Sequence, residues 1–238
     1  MPVQSTDIGK NPAIGIIMLD TVFPRIPGDV GNPNTFPFPV LYKIVKGAYP
    51  KRVVIDADPL LLQIFIQAAR SLENAGVKAI ATSCGFLAIF HKELVNAVDI
   101  PVFTSSLLQV HSAKAIIKNN QKIGIITARS QSLTLKHFMG VGIESYPLSV
   151  IGMESAEEFS AVFVEGKRDI DINKCRMEMV SAAKKLVETE PEIGAIVLEC
   201  TNMPPYARVI QETVGLPVFD VVTMINYAYS TVNKQIFI

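Results

Sequence analysis

Charge of one sign is what this chain lacks most plainly. Lys and Arg total 22, Asp and Glu total 22, and the formal net charge is zero. With no basic run and no positive field to neutralise phosphates, nucleic acid is not an expected partner. Long apolar runs are missing too. The richest, residues 60–66, falls far short of the ~20 residues that cross a bilayer, so no membrane partner is expected. Met1-Pro2-Val3-Gln4 carries no basic segment followed by an apolar one, and the expectation is no leader and a cytoplasmic location. Cysteine is scarce, with three in the chain. An odd and small number cannot build a disulfide framework and suits a reducing compartment. His91, His111 and His137 lack ligand spacing, and two cysteines alone do not close a tetrahedral site, so no metal is expected. Gly28-Asp29-Val30-Gly31-Asn32 lacks the Gly-Lys-Ser/Thr ending of a phosphate loop. It is either a plain multi-turn loop or a flap over a cleft. No pyridoxal motif occurs, and no cofactor is expected.

What is present is a buried, alternating α/β pattern. The 238 residues are 49% apolar and 18% charged, enough for two modest lobes or one large domain, with a homo-oligomer as a further way to hide surface. Strands are expected at 13–19, 52–55, 77–83 and 101–103, with a turn-rich loop after the first and a helix resuming near Leu41. Asp58-Pro59 opens a helix with a cap and a proline at its first position. Leu61, Phe65, Ala68 and Leu72 follow at helical spacing, and Gly76 closes it. Helices at 88–98 and 107–118 lead into a second half with strands at 122–126, 147–151, 194–200 and 217–219. Helices are expected there at 154–163 and 171–187, after Pro205, and at the C-terminus. Such alternation implies parallel sheets with helices on both faces.

The halves repeat. Lys78-Ala79-Ile80-Ala81-Thr82-Ser83-Cys84 matches Gly194-Ala195-Ile196-Val197-Leu198-Glu199-Cys200, an offset of 116 residues that also carries Val98 to Val214 and Pro101-Val102-Phe103 to Pro217-Val218-Phe219. Ile14-Gly15-Ile16-Ile17 recurs as Ile123-Gly124-Ile125-Ile126, offset by 109. The expected fold is therefore α/β, with two pseudo-symmetric doubly wound parallel-sheet domains and the active site between them. The first domain covers 1–105, completed by the C-terminal helix 221–238; the second covers 106–220.

Ligands bind beyond the carboxyl ends of strands in such sheets, where both Cys84 and Cys200 fall. A thiol at a helix start ionises more easily than the usual ~8.5, because amides and the helix dipole favour the thiolate. Ser83, Thr201 and Asn202 offer short polar side chains, and amides such as that of Gly85 suit a carboxylate. A thiolate and a thiol on opposite faces of one carbon make a base and an acid for proton exchange. Either cysteine taken alone is more simply a small core residue, and Cys175 lies on the stripe Cys175, Met179, Ala182, Leu186 and is assigned to the core. The shared register favours a functional pair.

On these residues the chain resembles the aspartate/glutamate/hydantoin racemase superfamily, cofactor-independent enzymes with two pseudo-symmetric α/β domains and one catalytic cysteine from each. The resemblance implies that Cys84 and Cys200 are the acid/base pair and that Asp20, after the first strand, assists the first cysteine. It also implies that Thr127 and Ser130, in the loop after the fifth strand, hold substrate. A side-chain carboxylate would need a fixed cation, and Arg25 is the nearest by loop position. The chain departs from the pattern at Cys84-Gly85-Phe86, where many amino-acid racemases have Cys-Asn-Thr, and at Asn202, where glutamate racemases commonly have histidine. The expected function is a cofactor-independent amino-acid racemase acting at the Cα of a small carboxylate substrate. A hydantoin racemase, a maleate-type cis–trans isomerase and a non-catalytic small-anion binding protein are the alternatives.

Overall fold

The computed structural model describes residues 12–235. Strands β1 (Ile14–Leu19), β2 (Val40–Val45), β3 (Ala79–Thr82) and β4 (Val102–Phe103) form one parallel sheet in the order β2-β1-β3-β4. Strands β5 (Lys122–Thr127), β6 (Leu148–Gly152), β7 (Ile193–Leu198) and β8 (Val218–Phe219) form a second in the equivalent order β6-β5-β7-β8. Around them lie α1 (Leu62–Asn74), α2 (His91–Val95), α3 (Val110–Ala115), α4 (Leu135–Val141), α5 (Glu157–Phe163), α6 (Ile172–Thr189), α7 (Ala207–Val214) and α8 (Val221–Val232).

Both sequence offsets reappear in the strand register. Ile80 pairs with Val102 and Ala81 with Phe103, while Ile196 pairs with Val218 and Val197 with Phe219. Ile14 opposes Ala79 in the first sheet, and Ile123 opposes Ala195 in the second. The glycines inside β1 and β5 serve the same purpose. A Cβ on Gly15 would meet Leu72 of α1 at 3.0 Å, and one on Gly124 would meet Leu186 of α6 at 2.9 Å. Each missing side chain admits a helix leucine against the sheet, which is why an otherwise β-branched run contains a glycine.

The central strands are buried on both faces, as parallel sheets covered by helices require. One apolar cluster runs through both halves, from Phe65, Leu72 and Ile80 to Ile126, Phe159 and Leu198. A smaller one lies on the other face of the first sheet, where α8 brings Met224, Ile225 and Ala228 against Ile14, Ile16, Ala79 and Ala81. The Asp220 carboxylate caps that helix by accepting from Thr223 N at 2.7 Å.

The second strand is not where the sequence pattern placed it. Residues 40–45, expected to begin a helix, form β2, and 52–55, expected as a strand, form a single wide π-type turn, Lys51–Ile55. β2 is an edge strand with only Val45 fully buried, so its pattern carries no double-sided apolar signal. Arg52 explains the turn: its guanidinium donates to the Asp58 carboxylate at 2.6 and 3.0 Å and to Gly47 O at 2.8 Å, which winds the segment on itself. The helices expected at 88–98 and 107–118 are shorter, each entered through a tight 3-10 turn (Gly85–Phe90 and Ser106–Gln109). Asp58 and Pro59 open the α1 unit as expected, with Leu60 N donating to Asp58 Oδ1 at 2.9 Å. Cys175 is fully buried on α6.

Candidate active site

The two cysteine loops leave their strands by the same route. Ser83 N donates to Ile17 O at 2.9 Å, and at the equivalent place Glu199 N donates to Ile126 O at 2.8 Å. Leu87 N then closes on Cys84 O, and Met203 N on Cys200 O, both at 3.1 Å. The loops are stitched to each other. Thr201 Oγ1 donates to Ser83 O at 2.6 Å, and Ser106, from the turn after β4, donates to Leu198 O at 2.6 Å.

Between them lies one pocket, lined by both Cys84 and Cys200. Ser83, Gly85, Thr201, Asn202 and Arg25 also line it, together with Thr21, Phe23, Phe86 and Phe163. The volume open to water is about 30 Å³, room for one or two waters.

The turn-rich loop after β1 forms one wall. Arg25 donates to Asp29 at 2.9 Å and to Thr21 Oγ1 at 2.7 Å, and its guanidinium stands 4.4 Å from the Phe23 ring centroid. Asp29 is almost fully buried and also accepts from Gly31 N at 2.7 Å and Asn202 Nδ2 at 2.7 Å. Asn202 Oδ1 in turn accepts from the Cys200 thiol at 3.5 Å. Arginine, carboxylate, amide and thiol thus form a chain from the first half into the second cysteine loop.

Other residues picked out by sequence stand elsewhere. Asp20 is bound by Gly47 N at 3.1 Å and by Lys46 at 3.2 Å, and does not line the pocket. Those partners hold its carboxyl below the usual range. Ser130 is paired with Glu154 outside the pocket. Thr127 is fully buried behind it, where its hydroxyl donates to Glu199 Oε2 at 2.8 Å. Among the described residues, no three His, Cys, Asp or Glu side chains gather to hold a metal ion, and no helix is long and apolar enough to cross a membrane.

The thiols do not have the lowered pKa that a helix-start position suggests. The amides of Phe86 and Leu87 pull Cys84 down, but burial, first, and the Glu199 carboxylate, second, push it up by more. Burial and then Glu199 also raise Cys200 well above its ordinary value, with Cys84 adding to the effect. A positive charge brought close would favour the thiolate of either against this rise.

Glu199 was missed in the sequence reading. It is fully buried, and burial lifts its carboxyl to about 8, against a lowering pull from Thr127. Its one signal in the sequence is a lone acid in the run Ile196-Val197-Leu198-Glu199-Cys200. Asp29, which organises the Arg25 wall, lies in the 28–32 run that the sequence leaves open between a multi-turn loop and a flap, and no motif singles it out.

Two four-stranded parallel sheets with a cysteine from each on a shared pocket define the two-thiol α/β class. The family model for Asp/Glu/Hydantoin racemase matches residues 54–225, and the chain belongs to that family. Among solved structures of the same fold are a mutant of arylmalonate decarboxylase in a sulfate-associated form and a glutamate racemase from Bacillus anthracis. The first has a TM-score of 0.63 at 15% identity, covering 94% of this chain and 95% of that one. The second has a TM-score of 0.58 at 15% identity, covering 93% and 82%. Curated relatives carry a different activity. A dimethylsulfoniopropionate lyase of Durusdinium sp. clade D is 32% identical over 225 residues, covering 92% of this chain and 74% of the relative. Dimethylsulfoniopropionate lyase 7 of Emiliania huxleyi (strain CCMP1516) is also 32% identical over 225 residues, covering 90% of this chain. The chain spans only 65% of that protein's length.

Proposed function

We propose that this chain is a cofactor-independent enzyme that removes the proton α to the carboxylate of a small substrate, and that the substrate is dimethylsulfoniopropionate or a compound of its shape, cleaved by β-elimination. The observation that carries this reading is the pocket bearing both thiols, which among the described residues has Arg25 as its one cationic side chain and no carboxylate in its lining. The substrate carboxylate lies toward Arg25. A thiolate takes the Cα proton, the C–H electron pair becomes the Cα=Cβ bond, and the Cβ–S bond breaks with its electrons leaving on sulfur. Dimethyl sulfide and acrylate depart, and the thiol returns its proton to solvent.

The lining favours this substrate. An ammonium group has N–H donors that need acceptors, whereas a dimethylsulfonium has none and is satisfied by aromatic faces. Phe23, Phe86 and Phe163 are among the lining residues, while among the described residues no carboxylate lines the pocket to receive an ammonium. The fixed charge of the sulfonium also offsets the rise in thiol pKa caused by burial, so the base forms as the substrate binds.

The second reading is the amino-acid racemase, and the observation in its favour is the second thiol. Elimination needs one base; inversion needs a base and an opposed acid. Headspace measurement of dimethyl sulfide, with NMR of acrylate, tests the first reading. Cα exchange of L- and D-amino acids in heavy water tests the second. Sulfide release with one indispensable and one dispensable cysteine supports the lyase. Amino-acid exchange abolished by either Cys84→Ser or Cys200→Ser, with no sulfide released, replaces it with the racemase.

A further inference from the structure

The carboxyl of Glu199 belongs to both cysteine loops at once. Its backbone directly precedes Cys200, while its side chain crosses to the backbone that directly follows Cys84. There, a Cβ on Gly85 would run into Glu199 Oε1 and the Glu199 carbonyl. Only glycine leaves room for the approach, which gives the Cys-Gly-Phe sequence a physical reason. The carboxyl is sealed from solvent. Oε2 is held by Thr127 at 2.8 Å, and Oε1 has no hydrogen-bond partner among the described residues. A buried acid with an orphan oxygen is rare in a folded protein and calls for an account. The equivalent position in the first half is Ser83, whose hydroxyl accepts from Leu19 N at 2.9 Å, so the acid is a departure from the internal symmetry.

We propose that Glu199 is a positioning residue that sets the charge allowed on the thiol pair: as a neutral acid it leaves room for one thiolate at Cys84 or Cys200, and as a carboxylate it forbids it. This rests on reading the two thiols as the acid/base pair of the pocket. The titratable groups around Glu199 are Cys84 on the 85–90 side, Cys200 on its own loop and, across the pocket, the Arg25–Asp29 ion pair. His137, on the helix packed against the 85–90 turn, is held neutral by burial. Thr127 on β5 and Ser106 on the turn after β4 contribute hydroxyls and no charge. Burial keeps Glu199 protonated up to about pH 8, so the restriction on the thiols begins above that pH.

The test reads the thiols directly and needs no substrate. Purified protein is alkylated with iodoacetamide at a series of pH values, and the rates at Cys84 and Cys200 are followed by peptide mass spectrometry for wild type, Glu199→Gln and Thr127→Val. At pH 6.5 the Gln variant is expected to match wild type within about twofold. At pH 9 it should alkylate about tenfold faster at the more reactive of the pair, as a shift of about one pKa unit requires. Thr127→Val removes the donor that stabilises the carboxylate, so it should shift the same restriction to higher pH with no charge removed. A rate ratio to wild type that stays flat with pH in both variants overturns the proposal, because loosened packing speeds alkylation equally at every pH. Failure of the function itself has a separate signature, which is absence of turnover on every substrate whatever the alkylation profile.

Discussion

At the scale of single residues, Arg25 and Gly85 make the sharpest demands. Arg25 is two-pronged, with one nitrogen on Asp29 and another on Thr21. Arg25→Ala should therefore lower kcat/KM on a carboxylate substrate by about 10- to 100-fold, in the range of a lost charge-assisted contact. Arg25→Lys should fail to restore it, since an ammonium cannot reproduce the fork. Steady-state kinetics, with thermal unfolding as the control for fold, checks both. Gly85→Ala puts a methyl into the Glu199 carboxyl and carbonyl oxygen. It should destabilise the protein by about 1–3 kcal/mol, the usual cost of overpacking, as read by denaturant unfolding. Cys84 and Cys200 were legible because they share a register. Glu199 was not, because a buried acid that serves its neighbours makes no motif. Thr127 and Asp20 were noted for their place after strands, but a position along the chain does not say where a side chain turns. Thr127 turns to Glu199, and Asp20 to Gly47 and Lys46.

Among elements, the repeated strands were the readable part. β3 and β7 are buried on both faces and bear no gap relative to β4 and β8, so composition and spacing agreed. β2 was hidden by its edge position and by the prolines before it. The opening of α4 makes a further prediction. His137, buried one turn into the helix, accepts at Nδ1 from Thr134 N at 3.1 Å, stands edge-on to Phe86 at 5.3 Å, and has its pKa lowered to about 4 by burial. Because its folded pKa lies below its unfolded value of 6.5, the unfolded chain binds more protons in between. The contribution is full above about pH 6.5 and is lost as pH falls toward 4, up to about 3 kcal/mol. His137→Gln should flatten that part of the stability–pH curve relative to wild type. Thermal unfolding measured from pH 4 to 7 reads the difference, and parallel curves for the two proteins would contradict it.

For the molecule as a whole, duplication supplies two matching thiols, and the fold brings them to one pocket. The stitching explains how two sheets far apart in sequence hold that pocket. Thr201 reaches Ser83, Ser106 reaches Leu198, and Asn202 reaches Asp29. None of these contacts shows in a strand pattern, because each joins residues more than 90 positions apart. The family follows from the whole, and the proposed reaction rests on the site. The reaction stands or falls on one comparison: sulfide and acrylate release from dimethylsulfoniopropionate by wild type, Cys84→Ser and Cys200→Ser. The expected result is release by wild type and a loss of at least about 100-fold in the variant lacking the base, the usual worth of a positioned proton acceptor. Full release by both serine variants would contradict a thiol base, whatever else the pocket does.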